Sequence, residues 1–118
     1  MIKQGNGWRI GWQEKATTYQ GLIGSQHWAL ELTSEEMHDF HRLLLQIYQA
    51  MTEINSHLME EETISCEVES DLMWLGVQGY PHNYSLRIIL HHHRSCEGTW
   101  LENVIQDLIQ ASQSLDIF

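Results

Sequence analysis

The sequence predicts an α+β fold in which antiparallel strands are followed by a helix, twice along one chain. Short segments in which large apolar residues alternate with other residues have the period of a strand. One long stretch has apolar residues at steps of three and four, which is the period of a helix. Both patterns recur in the second half. We therefore expect an antiparallel sheet of about seven strands and two helices in a single domain of 118 residues, with halves at 5–60 and 62–115.

The first half opens with a predicted meander of short strands. In residues 7–12, Trp8, Ile10 and Trp12 alternate with other residues and are expected to share one face. Residues 21–24 and 27–32 show the same character, and the connections between these segments are short. Short connections favour antiparallel pairing of neighbouring strands.

A long helix is predicted after this meander. Thr33 and Glu36 fit a capping box, and apolar residues then recur from Met37 to Leu58. A coiled coil is an alternative for so regular a repeat. However, the positions beside the apolar stripe lack the Glu/Lys pairs of a two-stranded seam, and the stripe is broad. The spacing therefore predicts one helix from about Ser34 to about Leu58 that packs across a sheet.

The second half repeats this order of elements. Strands are predicted at 63–69, 72–77 and 84–92, with a turn at 79–83 and a loop at 94–98. Thr99 and Glu102 resemble a second capping box, and the final helix then has an apolar face of Leu101, Val104, Ile105, Leu108 and Ile109. The alternative to a duplicated plan is an ordinary α+β domain whose two helices are capped alike.

The charge of the chain is strongly acidic. Sixteen Asp and Glu oppose six Lys and Arg, for a net charge of −10 at pH 7. Seven acids lie between residues 33 and 62 against Arg42 alone: Glu35, Glu36, Asp39, Glu53, Glu60, Glu61 and Glu62. They form either a face that attracts a basic partner or an ordinary solvated helix surface. Such a charge repels the phosphate backbone, so tight nucleic-acid binding is not expected.

The location of the protein is predicted from what the sequence lacks. No apolar run approaches the roughly 20 residues of a membrane-spanning helix, and no basic-then-apolar leader is seen. Two cysteines are too few for a disulfide scaffold. We expect a cytoplasmic protein without a membrane partner.

The most metal-like group consists of His91, His93 and Cys96, with Cys66 on another strand. Imidazole and thiolate suit zinc, but neither a Cys-x-x-Cys pair nor a helical His-Glu-x-x-His motif occurs. On a strand, at most two of the three consecutive histidines 91–93 share a face. We therefore expect no metal and no other cofactor, and interpret this group as surface histidines and small apolar cysteines.

Catalytic patterns are also missing from the sequence. No Ser or Cys lies in a Gly-x-Ser-x-Gly elbow, and no Gly-rich loop precedes a helix. Glu67 and Glu69 are expected on an outer strand face, where Arg87 is expected to pair with one of them or with Asp71. We therefore predict that the protein is not an enzyme.

The candidate binding face consists of Trp8, Arg9 and Trp12. Half of the positive charge, Lys3, Arg9 and Lys15, lies within the first fifteen residues. An exposed tryptophan there could stack on bases or anchor a protein. The alternative is that these rings belong to the core.

Five groups of residues carry a resemblance that spans roughly residues 5–110. They are residues 7–12, 19–24 with 28–33, 66–72, 79–81 with 84–87, and 94–98. Together they resemble a small family of uncharacterised cyanobacterial proteins, a domain of unknown function. The resemblance implies a fold similar to the single-stranded-DNA-binding regulators of the Whirly and transcriptional-coactivator type. The lysine-rich strand motif of Whirly proteins is absent, because no Lys follows Lys15.

Three functions follow from these patterns. The leading hypothesis is a non-catalytic binding or adaptor module that acts through protein contacts, with a basic partner. The second is a single-stranded-DNA-binding regulator, which rests on the fold resemblance. The third is a metal-binding protein.

Overall fold

A computed structural model describes residues 1–57, 59, 62–101 and 103–115 of the chain. Within these residues, a first antiparallel sheet consists of β1 (Ile2–Gly5), β2 (Trp8–Trp12), β3 (Gly21–Gly24) and β4 (Ala29–Leu32), and α1 (Ser34–Asn55) follows it. A second antiparallel sheet consists of β5 (Ile64–Glu69), β6 (Met73–Tyr80), β7 (Asn83–Leu90) and β8 (Cys96–Trp100), and α2 (Ile105–Gln113) follows that. The predicted α+β class and its duplicated plan are confirmed, with two sheets.

The capping box of α1 is confirmed in full. The Thr33 hydroxyl accepts from the Glu36 N–H at 3.1 Å, and the Glu36 carboxylate accepts from the Thr33 N–H at 2.9 Å. The helix runs unbroken to Asn55, earlier than the predicted end near Leu58. Leu58, Glu60 and Glu61 lie outside the described residues.

One hydrophobic core is shared by both halves of the chain. Each sheet turns one face toward the helices, and α1 supplies Met37, Phe40, Leu43, Leu44, Ile47 and Met51 to the core. The two sheets are joined through Trp28 and Trp100. The indole of Trp100 donates to the Gly24 carbonyl at 2.9 Å, and that of Trp28 donates to the Thr99 carbonyl at 3.0 Å. These bonds fix one sheet against the other.

The prediction of a second capping box at Thr99 was wrong. Thr99 and Trp100 belong to β8, and α2 begins at Ile105 after Val104, whose side chain caps nothing. Glu102 lies outside the described residues. Leu101, predicted on the helix face, is 78% exposed. Burial of Trp100 beside Phe40, with 6.0 Å between ring centroids, favours a strand at this point over the local capping pattern.

The predicted loop at 94–98 was also wrong. A 3₁₀ turn at His92–Arg94 leads directly into β8, and β7 ends at Leu90 rather than at residue 92. The reversal uses left-handed backbone at His92 (φ 61°) and Ser95 (φ 47°). Left-handed backbone is uncommon in residues other than glycine, so the sequence does not predict it at His92 and Ser95. With β1, which shows no clear alternation, the described strands number eight instead of about seven.

The β6–β7 turn is tighter than predicted. Gly79 and Tyr80 still belong to β6 and Asn83 opens β7, which leaves Pro81 and His82 to make the turn. No helix within the described residues is both long enough and apolar enough to cross a membrane.

Candidate binding surface

The outer face of the second sheet is polar and acidic. The strand register places Glu67 in line with Gly76, Arg87 and Thr99, and Glu69 in line with Trp74, Ile89 and Glu97. We call this surface the acidic sheet face and define it by its outward residues Ser65, Glu67, Glu69, Trp74, Gly76, Gln78, Ser85, Arg87, Ile89, Glu97 and Thr99. The residues between them point into the core, as the alternation in 64–69 and 84–90 predicted.

Trp74 lies along this face over Gly76. Its indole N–H donates to a Glu67 carboxylate oxygen at 3.2 Å. A Cβ at Gly76 would fall 2.1 Å from the edge of the Trp74 ring, so the ring needs a glycine beneath it. A shallow groove of about 230 Å³ adjoins the ring, with Gln78 and Arg87 among its lining residues. Trp74 is therefore a positioned aromatic side chain beside a groove.

The ion pairs of this face leave it negatively charged. Arg87 pairs with Glu97 at 2.8 Å, and His91 lies 2.8 Å from the Glu69 carboxylate. With neutral histidine, Glu67, Glu69 and Glu97 outnumber the one cation of the face. The predicted pairing of Arg87 with Glu67, Glu69 or Asp71 was wrong. Arg87 lies on β7, whose neighbours are β6 and β8. Its observed partner Glu97 is on the adjacent strand β8, whereas Glu67 and Glu69 are on β5, two strands away.

The edge of β5 continues the acidic sheet face. Among the described strands β5 pairs only with β6, which leaves the N–H and C=O groups of its other side without a partner strand. Glu67 and Glu69 point outward from it, and Cys66 and Val68 are half-buried beneath. Edge strands are commonly protected by charged side chains, especially Lys, or by Pro; β5 contains neither Lys nor Pro, and its charged side chains are Glu67 and Glu69. Burial raises the pKa of the Cys66 thiol, which keeps it protonated and unreactive.

The predicted binding residues Trp8, Arg9 and Trp12 lie on two faces of β2. Trp8 and Trp12 flank the fully buried Ile10 and are themselves partly buried. Trp12 meets His38 edge-on, with 6.5 Å between ring centroids. The alternation of the strand turns Arg9 the other way, where its guanidinium donates to the carbonyls of Ser25 at 2.7 Å and Trp28 at 3.0 Å. Whether these residues contact a partner stays a prediction.

Two members of the metal-like group, His91 and Cys96, each make a hydrogen bond within the chain. Since β7 ends at Leu90, strand alternation does not apply to His91 and His93. His91 contacts Glu69, His92 lies 3.5 Å from Asp71, and the Cys96 thiol donates to the Arg94 carbonyl at 2.8 Å. In the described parts of the chain, no three His, Cys, Asp or Glu side chains are grouped to hold a metal. Metal binding itself stays untested.

Arg94, which the sequence pattern did not single out, ties the two halves together. Its Nε donates to Glu36 at 3.0 Å, its Nη1 to the Tyr19 hydroxyl at 3.2 Å, and its Nη2 to the Glu31 carbonyl. The guanidinium carbon also lies 4.8 Å from the centre of the Tyr19 ring. Glu36, expected on an acidic surface, is only 4% exposed. No local pattern signals a contact between residues this distant in the chain.

A second concave site, the tyrosine cleft, was also not predicted. It has a volume of about 420 Å³ and lies between the end of α1, the β6–β7 turn and the start of α2. Its lining residues are Tyr48, Met51, Thr52, Asn55, Pro81, His82, Tyr84, Asn103, Gln106 and Asp107. They are too scattered along the chain to form a motif.

Hydrogen bonds fix the polar walls of the tyrosine cleft. Gln106 donates to the Tyr48 hydroxyl at 2.9 Å, and Asn103 accepts from the Tyr84 N–H at 3.0 Å. Burial raises the pKa of Tyr84; the nearby Asp107 and Tyr48 add to this, and the N–H of Ile105 donating to the phenol opposes it. The side-chain oxygen of Asn55 is buried without a hydrogen-bond partner among the described residues.

Comparison with known proteins agrees with the predicted kind of family. The family described as a domain of unknown function, DUF1818, matches residues 3–115. The chain belongs to this family. The DUF1818 chain is also similar to a crystal structure of a protein with unknown function from Prochlorococcus sp. NATL2A, which is described as a DUF155 family member. The two are 26% identical, 98% of each chain is covered, and the TM-score is 0.88.

These matches confirm a family of unknown function, and the similar structure comes from a cyanobacterium. No curated protein matches the chain. Neither of the two matches names a Whirly-type regulator, so that resemblance stays a prediction.

Proposed function

We propose that this DUF1818 protein is a non-catalytic binding module that acts through protein contacts and holds a basic strand of a partner on the acidic sheet face. The observation that carries the proposal is the arrangement of Trp74 beside the unpaired edge of β5. Glu67 links the two, because it belongs to β5 and accepts the indole N–H. A positioned aromatic ring, a groove and an open strand edge are the parts that strand-addition interfaces use.

The geometry of β5 supports a partner strand of a particular composition. A strand added to its edge would form main-chain hydrogen bonds, and its side chains would alternate between the two faces of the sheet. Those on the outer face would lie beside Glu67 and Glu69, which favours Lys or Arg. Those on the inner face would meet Cys66 and Val68, which favours small apolar residues. Trp74 belongs to β6, but its indole reaches Glu67 of β5, so a long basic side chain that extends across β5 would gain a cation–π contact with it.

The main-chain bonds and Trp74 are expected to supply most of the affinity. Exposed ion pairs contribute only about 0.2–1 kcal/mol each, so the glutamates mainly select the partner and speed association. The overall charge of −10 acts in the same direction, because it steers a basic partner toward the protein. The described chain has two cysteines, both free, as expected for the cytoplasm, where we propose that the protein acts.

The test is selection from a peptide display library against the purified protein. We expect enriched peptides in which Lys or Arg alternates with small apolar residues. Binding of a selected peptide should weaken at least about tenfold in Trp74→Ala, which removes the aromatic contact, and several-fold in Glu67→Gln/Glu69→Gln, which removes two charges. The matched control Glu14→Gln/Glu53→Gln removes the same charge from exposed positions elsewhere and should retain most binding. Peptides without basic residues, or binding that only the control weakens, would contradict the proposal.

Single-stranded DNA is the alternative ligand and is supported by the fold resemblance seen in the sequence. Against it, the Arg9 guanidinium is already bonded to two carbonyls, and Trp8 and Trp12 are partly buried. We expect weak binding in fluorescence anisotropy with an oligonucleotide of about 30 bases at near-physiological salt. A dissociation constant below about 1 μM, weakened by Trp8→Ala or Arg9→Ala, would favour DNA over the protein partner.

A further inference from the structure

We propose that the tyrosine cleft binds a small organic cation, an alkylammonium or a guanidinium group. This site shares no lining residue with the acidic sheet face, and the inference does not depend on the function proposed for that face. Three features of the cleft carry it: its charge, its unsatisfied acceptor and its aromatic walls.

The charge of the cleft is negative. Among its described lining residues, Asp107 is the one with a formal charge at a pH where histidine is neutral. Met51, Thr52 and Asn55 come from the last two turns of α1, whose carbonyl end is negative and whose last turn has no basic residue. The positive end of α2 also borders the cleft, but Asp107 lies in its first turn and offsets it. A cation is therefore attracted and an anion is not.

One residue of the cleft lining, Asn55, has an acceptor that the described chain leaves without a hydrogen bond. The Asn55 oxygen is buried and accepts no hydrogen bond from the described residues, which is costly for a polar group. Ammonium and guanidinium groups carry three and five donors, so such a ligand has donors for Asp107 and for further acceptors of the lining.

The walls of the cleft suit the rest of such a ligand. Met51 and Pro81 in the lining offer apolar surface for methylene groups, and the lining also includes Tyr48 and Tyr84, whose aromatic rings are of the kind that attracts cations. A volume of about 420 Å³ limits the ligand to a short chain. The same chemistry occurs in free diamines and in the Lys or Arg side chain of a partner.

Isothermal titration calorimetry on the full chain at pH 8 and low salt tests this inference. Putrescine and agmatine represent free cations, and N-acetylarginine amide represents a side chain. Butane-1,4-diol and butyrate are the neutral and anionic controls. We expect saturable binding of the cations at one site per chain and none of the controls. Asp107→Asn should weaken binding at least about tenfold, the cost of losing one charged hydrogen bond.

Two variants keep this test decisive. Glu14→Gln removes the same charge far along the chain and should change cation affinity less than about twofold, since exposed charges at a distance are screened. Tyr48→Leu removes an aromatic ring from the wall of the cleft and should weaken cation binding several-fold, which tests the site even if Asp107→Asn fails to fold. Equal losses in Asp107→Asn and Glu14→Gln, equal binding of the diol, or no saturable cation binding would each overturn the proposal.

The arms of the titration separate the two sources of the cation. Stronger binding of putrescine or agmatine than of N-acetylarginine amide supports a free metabolite. Binding of the amide at least as tight as agmatine supports the side chain of a partner protein. Either result supports the cation site. Failure of both, together with successful peptide selection on the acidic sheet face, would overturn the cleft proposal and leave the proposed function intact.

Discussion

The two sheets have the same strand order but use their surfaces differently. In the first sheet, Arg9 on the outer face is bonded to the carbonyls of Ser25 and Trp28. Trp28, which follows β3, reaches across to the second sheet. In the second sheet, longer strands carry an outer face with Trp74, its glutamates and an open edge. The outer-face arginine of the first copy therefore makes internal contacts, whereas the outer face of the second copy is the surface for which we propose a partner.

The largest expected effect comes from breaking the link through Arg94. Arg94→Ala leaves the buried Glu36 carboxylate without its cation and should lower the free energy of unfolding by about 3 kcal/mol. The matched control is Arg42→Ala, which breaks an exposed pair with Asp39 and should cost less than about 1 kcal/mol. Urea denaturation measures both. Equal losses of unfolding free energy in Arg94→Ala and Arg42→Ala would show that the Arg94–Glu36 pair does not stabilise the contact between the two halves.

Adding Glu36→Gln to Arg94→Ala sharpens this result. The amide of Gln still accepts the Thr33 N–H of the capping box but carries no charge. The double variant should therefore be more stable than Arg94→Ala alone. If the double variant is instead less stable than Arg94→Ala, the unpaired charge of Glu36 is not the cause of the loss in Arg94→Ala.

Alanine substitutions at two glycines that lie under tryptophans compare the contact between the sheets with the acidic sheet face. A Cβ at Gly98 would fall 2.5 Å from the ring of Trp28, and one at Gly76 would fall 2.1 Å from the ring of Trp74. Trp28 is fixed by its bond to Thr99 and lies 4.8 Å from the Trp100 ring, so it cannot move aside. Trp74 can lift toward solvent. Gly98→Ala should therefore cost about 1–3 kcal/mol by overpacking.

Gly76→Ala should change stability little but displace the ring from the acidic sheet face. We expect it to weaken a selected basic peptide several-fold, which calorimetry can measure. Denaturation of the two alanine variants side by side gives the comparison. A larger loss of stability in Gly76→Ala than in Gly98→Ala would mean that Trp74, not Trp28, is the fixed ring.

The smallest expected effect concerns pH and the contact between the two helices. His41 in α1 lies 2.7 Å from the hydroxyl of the buried Ser112 in α2. Burial, and secondly the nearby His38, lowers the pKa of His41 below the usual 6.5. The unfolded chain then binds a proton more readily than the folded one. The stabilisation is complete above about pH 6.5 and is lost as the pH falls from there through the lowered value.

Urea denaturation between pH 7.5 and pH 5 checks this effect. The wild-type protein should lose stability on acidification, and His41→Gln should lose less over the same interval. The same decline in both proteins would assign the pH dependence to other groups.

The sequence predicted those parts of the fold that depend on local periodicity. The core face of α1, its capping box at Thr33 and Glu36, and the alternation of β5 and β7 were all confirmed. The prediction failed where contacts distant in the chain decide the structure. Burial of Trp100 makes Thr99 part of a strand, although the local pattern resembles a helix cap.

The candidate surfaces were less accessible to prediction for the same reason. The position of the Trp74 ring depends on Gly76 beneath it and on its bond to Glu67, and Glu67 becomes a neighbour only when β5 and β6 pair. The tyrosine cleft needs α1, a turn and α2 together. The sequence predicted Glu67 and Glu69 on an outer face, as observed, but gave no reason to place Trp74 beside them.

Hydrogen exchange on β5 tests the central claim most directly. The protein is mixed with a basic peptide that the display selection enriched for binding, and amide exchange is compared with and without the peptide. Strand addition predicts slower exchange for the β5 amides that face away from β6, together with little change in β1 and β2. Protection confined to β1 and β2, or no protection in β5, would contradict a partner strand at this edge.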